Sequence, residues 1–297
     1  MAQIFGRGSN ALARMSLVLT GLAIIALGVT LDGLQRSPWV TRQGVRPDQP
    51  VPFSHKHHVQ GLGVQCQYCH VTVEKSSYAG IPPTKTCVNC HAQLWTNAQL
   101  LEPVRTSWNT GKPLVWTKVH DLPDYVYFSH EIHVNKGLGC ASCHGRVDKM
   151  PLMYAQNTLQ MEWCLDCHRN PAKNLRPTSE LYNMAWEKPS EDNPVWCAAG
   201  GEATGTPTAQ SVSCVTKEPV GSAGYISNLP PALLKETGWK PGSATIVRTQ
   251  VALTDGSAAP QPLFQKFTSQ DELGHFLVDH YKIRTPKDLT SCEVCHR

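Results

Sequence analysis

The stretch Phe53-Ser54-His55-Lys56-His57-His58-Val59, Gly61-Leu62-Gly63, Cys66-Gln67-Tyr68-Cys69-His70 holds the pattern that decides the fold. Its last five residues, two cysteines three apart with a histidine directly behind, recur four times. The copies are Cys87-Val88-Asn89-Cys90-His91, Cys140-Ala141-Ser142-Cys143-His144, Cys164-Leu165-Asp166-Cys167-His168 and Cys292-Glu293-Val294-Cys295-His296. This is the attachment pattern of c-type haem. Two thiols add to the two vinyl groups, and the next residue, histidine, is carried under the iron. The alternative is zinc, since paired Cys-x-x-Cys knuckles make four-coordinate sites. Zinc does not require a histidine after every second cysteine, and histidine is only 13 of 297 residues here. The reading is five covalent haems, held by Cys66, Cys69, Cys87, Cys90, Cys140, Cys143, Cys164, Cys167, Cys292 and Cys295. His70, His91, His144, His168 and His296 are the proximal ligands.

Working outward, the lead-in to the first motif has a second copy. Phe128-Ser129-His130-Glu131-Ile132-His133-Val134 and Gly137-Leu138-Gly139 precede the third motif; the Phe-Ser-His pieces are offset by 75 residues and the motif cysteines by 74. Each copy is followed by a further motif. The chain therefore reads as a duplicated two-haem module. His55 and His58 lie three apart, as do His130 and His133, so one helical turn presents each pair on one face. Neutral imidazole is the commonest metal ligand, and these four are the expected distal ligands. His120, in Val119-His120-Asp121-Leu122-Pro123, is the fifth candidate. His57 has no counterpart, because Ile132 stands there in the second copy. His275 and His280 fall on a helix and read as surface residues, with His280 within reach of the last haem. Met150, Met161 and Met184 lie near motifs; Met184 is the one methionine carried as a ligand candidate.

The fold class expected is mainly irregular with short α-helices, a multihaem cytochrome c of duplicated two-haem modules resembling class III, with one N-terminal transmembrane helix. Aromatic content is only 7%, and the haems would supply the missing apolar bulk. Residues 1–32 read as a cytoplasmic tip and anchor. Met15–Leu31 is uncharged and mostly apolar, at the short end for a membrane span. Arg7 and Arg14 precede it with no acidic residue before Asp32, which puts the N-terminus in the cytoplasm and the haem domain on the periplasmic side of the inner membrane. A cleaved signal peptide is the alternative, but no good cleavage site stands before Asp32. Residues 33–50 read as a linker, 51–188 as the four-haem domain, 189–262 as a Gly/Ser/Thr/Pro-rich surface insertion, and 263–297 as a helix leading to the fifth haem. Cys197 and Cys214, the two cysteines outside the motifs, read as a disulfide in an oxidising compartment. Ser269-Gln270-Asp271-Glu272 reads as a capping box, followed by Leu273, Phe276, Leu277 and Tyr281 at helical spacing.

The formal charge of +4 is outweighed by two propionates per haem, and Lys and Arg form no basic run. Nucleic-acid binding therefore has no support.

Four segments, Phe53–Val59, Ala79-Gly80-Ile81-Pro82-Pro83-Thr84-Lys85-Thr86-Cys87, Val119–Pro123 and Gln160-Met161-Glu162-Trp163-Cys164 through Pro171, resemble the pentahaem cytochrome c subunit of bacterial alternative complex III, a quinol:electron-acceptor oxidoreductase. The resemblance runs from Phe53 to Trp186 and includes the final motif; residues 189–262 carry no part of it. It implies an electron-carrying subunit of a membrane complex rather than an enzyme in itself. The partners it implies are an iron–sulfur subunit, polysulfide-reductase-like membrane subunits and a monohaem cytochrome. The implied role is to carry electrons from quinol oxidation to a periplasmic acceptor or terminal oxidase. Two other classes stand beside it. One is a stand-alone, membrane-anchored multihaem quinol dehydrogenase. The other is a catalytic multihaem reductase, which needs one iron with an open site.

Overall fold

The computed structural model describes residues 5–198, 214–215 and 264–296. The expected insertion at 189–262 therefore lies mostly outside the described residues. The first element, α1 (Ser9–Arg36), is 28 residues long, about 42 Å at 1.5 Å per residue. That exceeds a hydrocarbon core of about 30 Å. Helix and apolar character extend to the short helix α2 (Pro38–Thr41), and no residue of α1 is buried. Pro38 disfavours the α region at Ser37, which is extended (φ −70°, ψ 156°), and α1 ends there.

Beyond α1 and α2 the described chain is helical and irregular with few strands. The helices are α3 (Cys66–Cys69), α4 (Thr84–His91), α5 (Glu102–Thr110), α6 (His130–Asn135), α7 (Cys140–His144), α8 (Met161–Arg169), α9 (Gln270–His280), α10 (Pro286–Leu289) and α11 (Cys292–Cys295). Helices this short are not stable alone in water and must be held by tertiary contacts. Each Cys-x-x-Cys pair lies on one of five of them (α3, α4, α7, α8 and α11). The i, i+3 spacing puts both thiols of a pair on one side.

Three strands, β1 (Val195–Ala198), β2 (Cys214–Val215) and β3 (Phe264–Phe267), form an antiparallel sheet in the order β2-β1-β3. Cys197 and Cys214 face each other across β1 and β2 and are joined by a disulfide. Within the 189–262 stretch, Val195, Trp196, Cys197 and Cys214 are buried rather than on the surface. Val195 and Cys197 are 0% exposed and pack with Leu175, Phe267, Leu273, Leu277 and Tyr281. Trp196 and Cys197 have a paired strand on both sides, so the sheet supplies backbone partners to these buried residues.

Ser269 caps α9 by accepting from the Glu272 amide. Leu273, Leu277 and Tyr281 form the buried stripe, as their spacing predicts. A Cβ on Gly274 would run into the Ala172 backbone. Only glycine allows α9 to approach the Pro171–Lys173 turn this closely. Gln270 Nε2 donates to Ala172 O and Leu175 O, both at 2.9 Å. The C-terminal segment is thereby fastened to the chain just behind the fourth motif.

Candidate haem sites

The two lead-in copies adopt nearly the same geometry at their histidines. Phe53 stacks on His58 at 4.4 Å with planes at 24°, and Phe128 on His133 at 4.5 Å and 26°. Phe53 meets His55 edge-on at 4.9 Å, and Phe128 meets His130 edge-on at 4.8 Å. His58 Nδ1 lies 2.9 Å from Ser54 O, and His133 Nδ1 2.7 Å from Ser129 O. The backbone differs. The first copy winds as a π-helix over Lys56–Gly61, whereas the second is α-helical over His130–Asn135.

These histidines pair with motif histidines. His58 and His91 have ring centroids 6.2 Å apart, His133 and His168 6.2 Å, and His130 and His144 6.3 Å. A metal between two imidazoles sits about 2.0 Å from each nitrogen, with each ring centre roughly 1.1 Å farther back, so the centres fall about 6.2 Å apart. All three separations match. In each pair one ring belongs to a motif and the other does not.

Hydrogen bonds set the tautomer. Nδ1 faces a backbone carbonyl in His70 (Gly80, 2.7 Å), His91 (Leu94, 3.0 Å), His168 (Leu289, 2.8 Å), His296 (Tyr125, 3.2 Å) and His130 (Ser77, 2.9 Å). A carbonyl only accepts, so Nδ1 carries the proton and Nε2 keeps its lone pair for a metal. Burial pushes His55 down to about 4 and His144 down to about 3, with nearby histidines adding to both shifts. Both rings are held neutral, as a ligand must be.

Burial pushes the Cys140 thiol up to about 11 and Cys143 up to about 12. A redox-active Cys-x-x-Cys needs the opposite shift. Among the described residues no three His, Cys, Asp or Glu side chains gather as a compact ion would require. Leu62, Tyr68, Tyr78, Leu94 and Trp95 stand exposed beside the first two motifs, an apolar surface of the kind a porphyrin covers. At the third motif Arg176 is 6% exposed and donates to Ser142 Oγ at 3.1 Å and Asn183 O at 3.2 Å. Its Nε has no acceptor among the described residues. A buried cation of this kind suits a propionate. Ring spacing, tautomer, apolar cover and cation all fit haem.

Residues 126–199, which span the third and fourth motifs, match the family of cytochrome c7 and related cytochromes c. The multihaem cytochrome c subunit of menaquinone reductase from Nitratidesulfovibrio vulgaris (strain Hildenborough) is 33% identical over 144 residues, covering 41% of this chain and 69% of that protein. The chain belongs to the multihaem cytochromes c. Covalent haem c and electron transport come with that membership.

Within this multihaem cytochrome the other candidates fall as follows. His55 lies within electrostatic reach of His70, and its Nδ1 is buried with no partner among the described residues. His120 is brought to the third motif, with its Nε2 3.3 Å from His144 Nδ1 and ring centroids 4.4 Å apart. Met184 is 9% exposed, three residues past Leu181, whose carbonyl accepts from Cys140 N. It lies near the third motif, whose histidine already has His130 and His120 beside it. His296 lies beside the Tyr125 ring at 5.8 Å. His275 is exposed, and its Nδ1 lies 2.8 Å from Asp271 O. His280 stacks on Phe276 at 6.0 Å. Sequence reasoning missed Tyr125, Arg176 and the carbonyl acceptors. Only Ser54 and Ser129 had a visible signal, as the serine in both copies of Phe-Ser-His.

Proposed function

We propose that this chain is the five-haem electron-carrying subunit of a membrane quinol-oxidising complex of the alternative complex III type, built on two duplicated two-haem modules. Haem c, when bound, supplies a one-electron ferric/ferrous couple. The observation that carries the reading is the set of three matched imidazole pairs, each joining a motif histidine to a lead-in histidine. Two imidazoles on one metal leave no open position for a substrate. That favours electron transfer over a catalytic reductase. His55, His58, His130 and His133 are the distal ligands in this reading, and His120 and Met184 remain candidates around the third motif. Phe53 and Phe128 orient the rings by stacking. The backbone carbonyls hold the Nδ1 proton and so keep each ring neutral and turned to its metal. α1 ties the haem domain to the inner membrane, on the periplasmic side. An iron–sulfur subunit, polysulfide-reductase-like membrane subunits and a monohaem cytochrome are the partners proposed.

The name of the N. vulgaris relative favours a second reading with the same wire and opposite flow, from a periplasmic donor to quinone. Purification in mild detergent followed by two reductions decides between them. In the first reading a menaquinol analogue reduces the haems of the intact assembly. In the second, pre-reduced haems are reoxidised by the quinone. A chain that purifies alone and reacts with quinol argues for a stand-alone dehydrogenase. A ferric high-spin centre that binds nitrite argues for a reductase.

A further inference from the structure

The five motifs are not stacked in sequence order. Asn89 of the second motif donates to Tyr68 Oη of the first at 3.3 Å, and Cys69 lies within electrostatic reach of Cys87 and Cys90. The first and third are tied by His130 N to Ser77 O at 3.1 Å and Tyr182 Oη to Glu74 at 2.6 Å. Cys66 lies within reach of Cys140. The third and fourth share α6, whose His130 faces His144 while its His133 faces His168. The fourth and fifth meet where His168 Nδ1 reaches Leu289 O at 2.8 Å, with Cys164 in reach of Cys295.

The anchor docks at one place in this row. Arg36, on the last turn of α1, pairs with Glu162, on the first turn of α8. Gln160 Nε2 donates to Gln35 O at 2.8 Å, Gln43 Nε2 to Gln156 O at 2.8 Å, and Gly44 N to Ala155 O at 2.8 Å. Arg46 stacks over Tyr154 at 5.0 Å. All these contacts fall on residues 154–162, immediately ahead of the fourth motif.

We propose that the motifs line up as second, first, third, fourth, fifth, and that the fourth is the membrane-facing site where the chain exchanges electrons with a partner in the bilayer, the second motif being the far end. The contacts from α1 to the 154–162 segment carry this. They set the Cys164–His168 helix beside the point where the chain leaves the membrane. Sequence order alone would instead make the first motif the nearest, since only residues 37–65 separate it from α1. The proposal rests on the electron-carrier reading above.

The test uses the full chain with its haems in nanodiscs of phosphatidylcholine and phosphatidylglycerol. A ruthenium bipyridine photoreductant is either tethered to a lipid headgroup or free in water. Each flash excites Ru(II), which gives one electron to a ferric haem and becomes Ru(III); the haem becomes ferrous, a sacrificial amine in solution re-reduces the Ru(III), and no bond or proton changes at the haem. The R36A/Q160A double variant loosens the dock without touching any haem ligand. Reduction from the tethered donor should slow several-fold, while reduction from the free donor stays unchanged. Equal slowing of both, or of neither, overturns the proposal. Independently, lipids with a photoreactive headgroup should label the 155–163 peptide above the 84–95 peptide in the native protein, and the reverse order overturns it. Labelling does not depend on electron flow, so it stands even if the carrier reading fails. Haem-resolved redox titration of H133M should raise the fourth midpoint and, through coupling to its neighbours, move the third and fifth while leaving the second in place; a coupled shift at the second without the third sinks the order.

Discussion

The His133 and His168 rings lie with centroids 6.2 Å apart and planes inclined by 22°. His168 comes from the fourth motif, and His133 precedes the third. In the proposed ligation the distal ligand of one haem is carried by the lead-in of another, so that α6 would couple two neighbouring sites. His133→Ala should leave the fourth haem attached, because Cys164, Cys167 and His168 remain, but convert it to high spin. His133→Met should keep it low-spin and raise its potential. Electron paramagnetic resonance and redox titration read both, and a fully low-spin H133A protein contradicts the pairing.

His120 and His130 make different predictions at the third motif. His130 sits 6.3 Å from His144 with planes 5° apart, whereas His120 touches the Nδ1 side. His130→Ala should give a high-spin third haem. His120→Ala should leave it low-spin with a shifted midpoint, because only the hydrogen bond to the proximal ring is lost. If H120A is the variant that turns high-spin, the two roles are reversed.

Five covalent haems are expected per chain. The mass of the denatured protein should exceed that of the bare chain by five haem groups. Replacing Cys292 and Cys295 by Ala should remove one of them and leave four, since each motif supplies the two thiols for its own haem.

The Cys197–Cys214 bridge closes a 17-residue separation, worth about 3 kcal/mol in the chain-entropy model. C197S/C214S should lower unfolding stability by about that amount, read by denaturant titration. Alkylation without reduction should leave both thiols unlabelled in the native protein.

Gly274→Ala gains about 1 kcal/mol in helix propensity. Its Cβ meets the Ala172 backbone, which is rigid, and overpacking of this kind costs roughly 1–3 kcal/mol. The clash should win. G274A is expected to be less stable in thermal unfolding and to loosen the fifth haem first, since α9 leads to the last motif.

Residue identity carried the chemistry. Five Cys-x-x-Cys-His runs named the cofactor, because the thiol spacing and the adjacent histidine are covalent requirements that cannot be met at a distance. The duplicated Phe-Ser-His-x-x-His marked the lead-in histidines, and Ser269 with the Leu273, Leu277 and Tyr281 stripe marked α9, because caps and helical periodicity are local. The carbonyl acceptors of His70, His91 and His168 were invisible, since every residue has a carbonyl. So was the buried state of Val195 and Cys197, in a stretch whose composition reads as surface. Which histidine faces which motif, the row running second, first, third, fourth, fifth, and the docking of α1 ahead of the fourth motif were decided only by tertiary structure. These are contacts between residues as far apart as Arg36 and Glu162 or His168 and Leu289. Short helices without a shared apolar stripe leave no sequence trace of their packing partners, so only the folded chain brings such residues together.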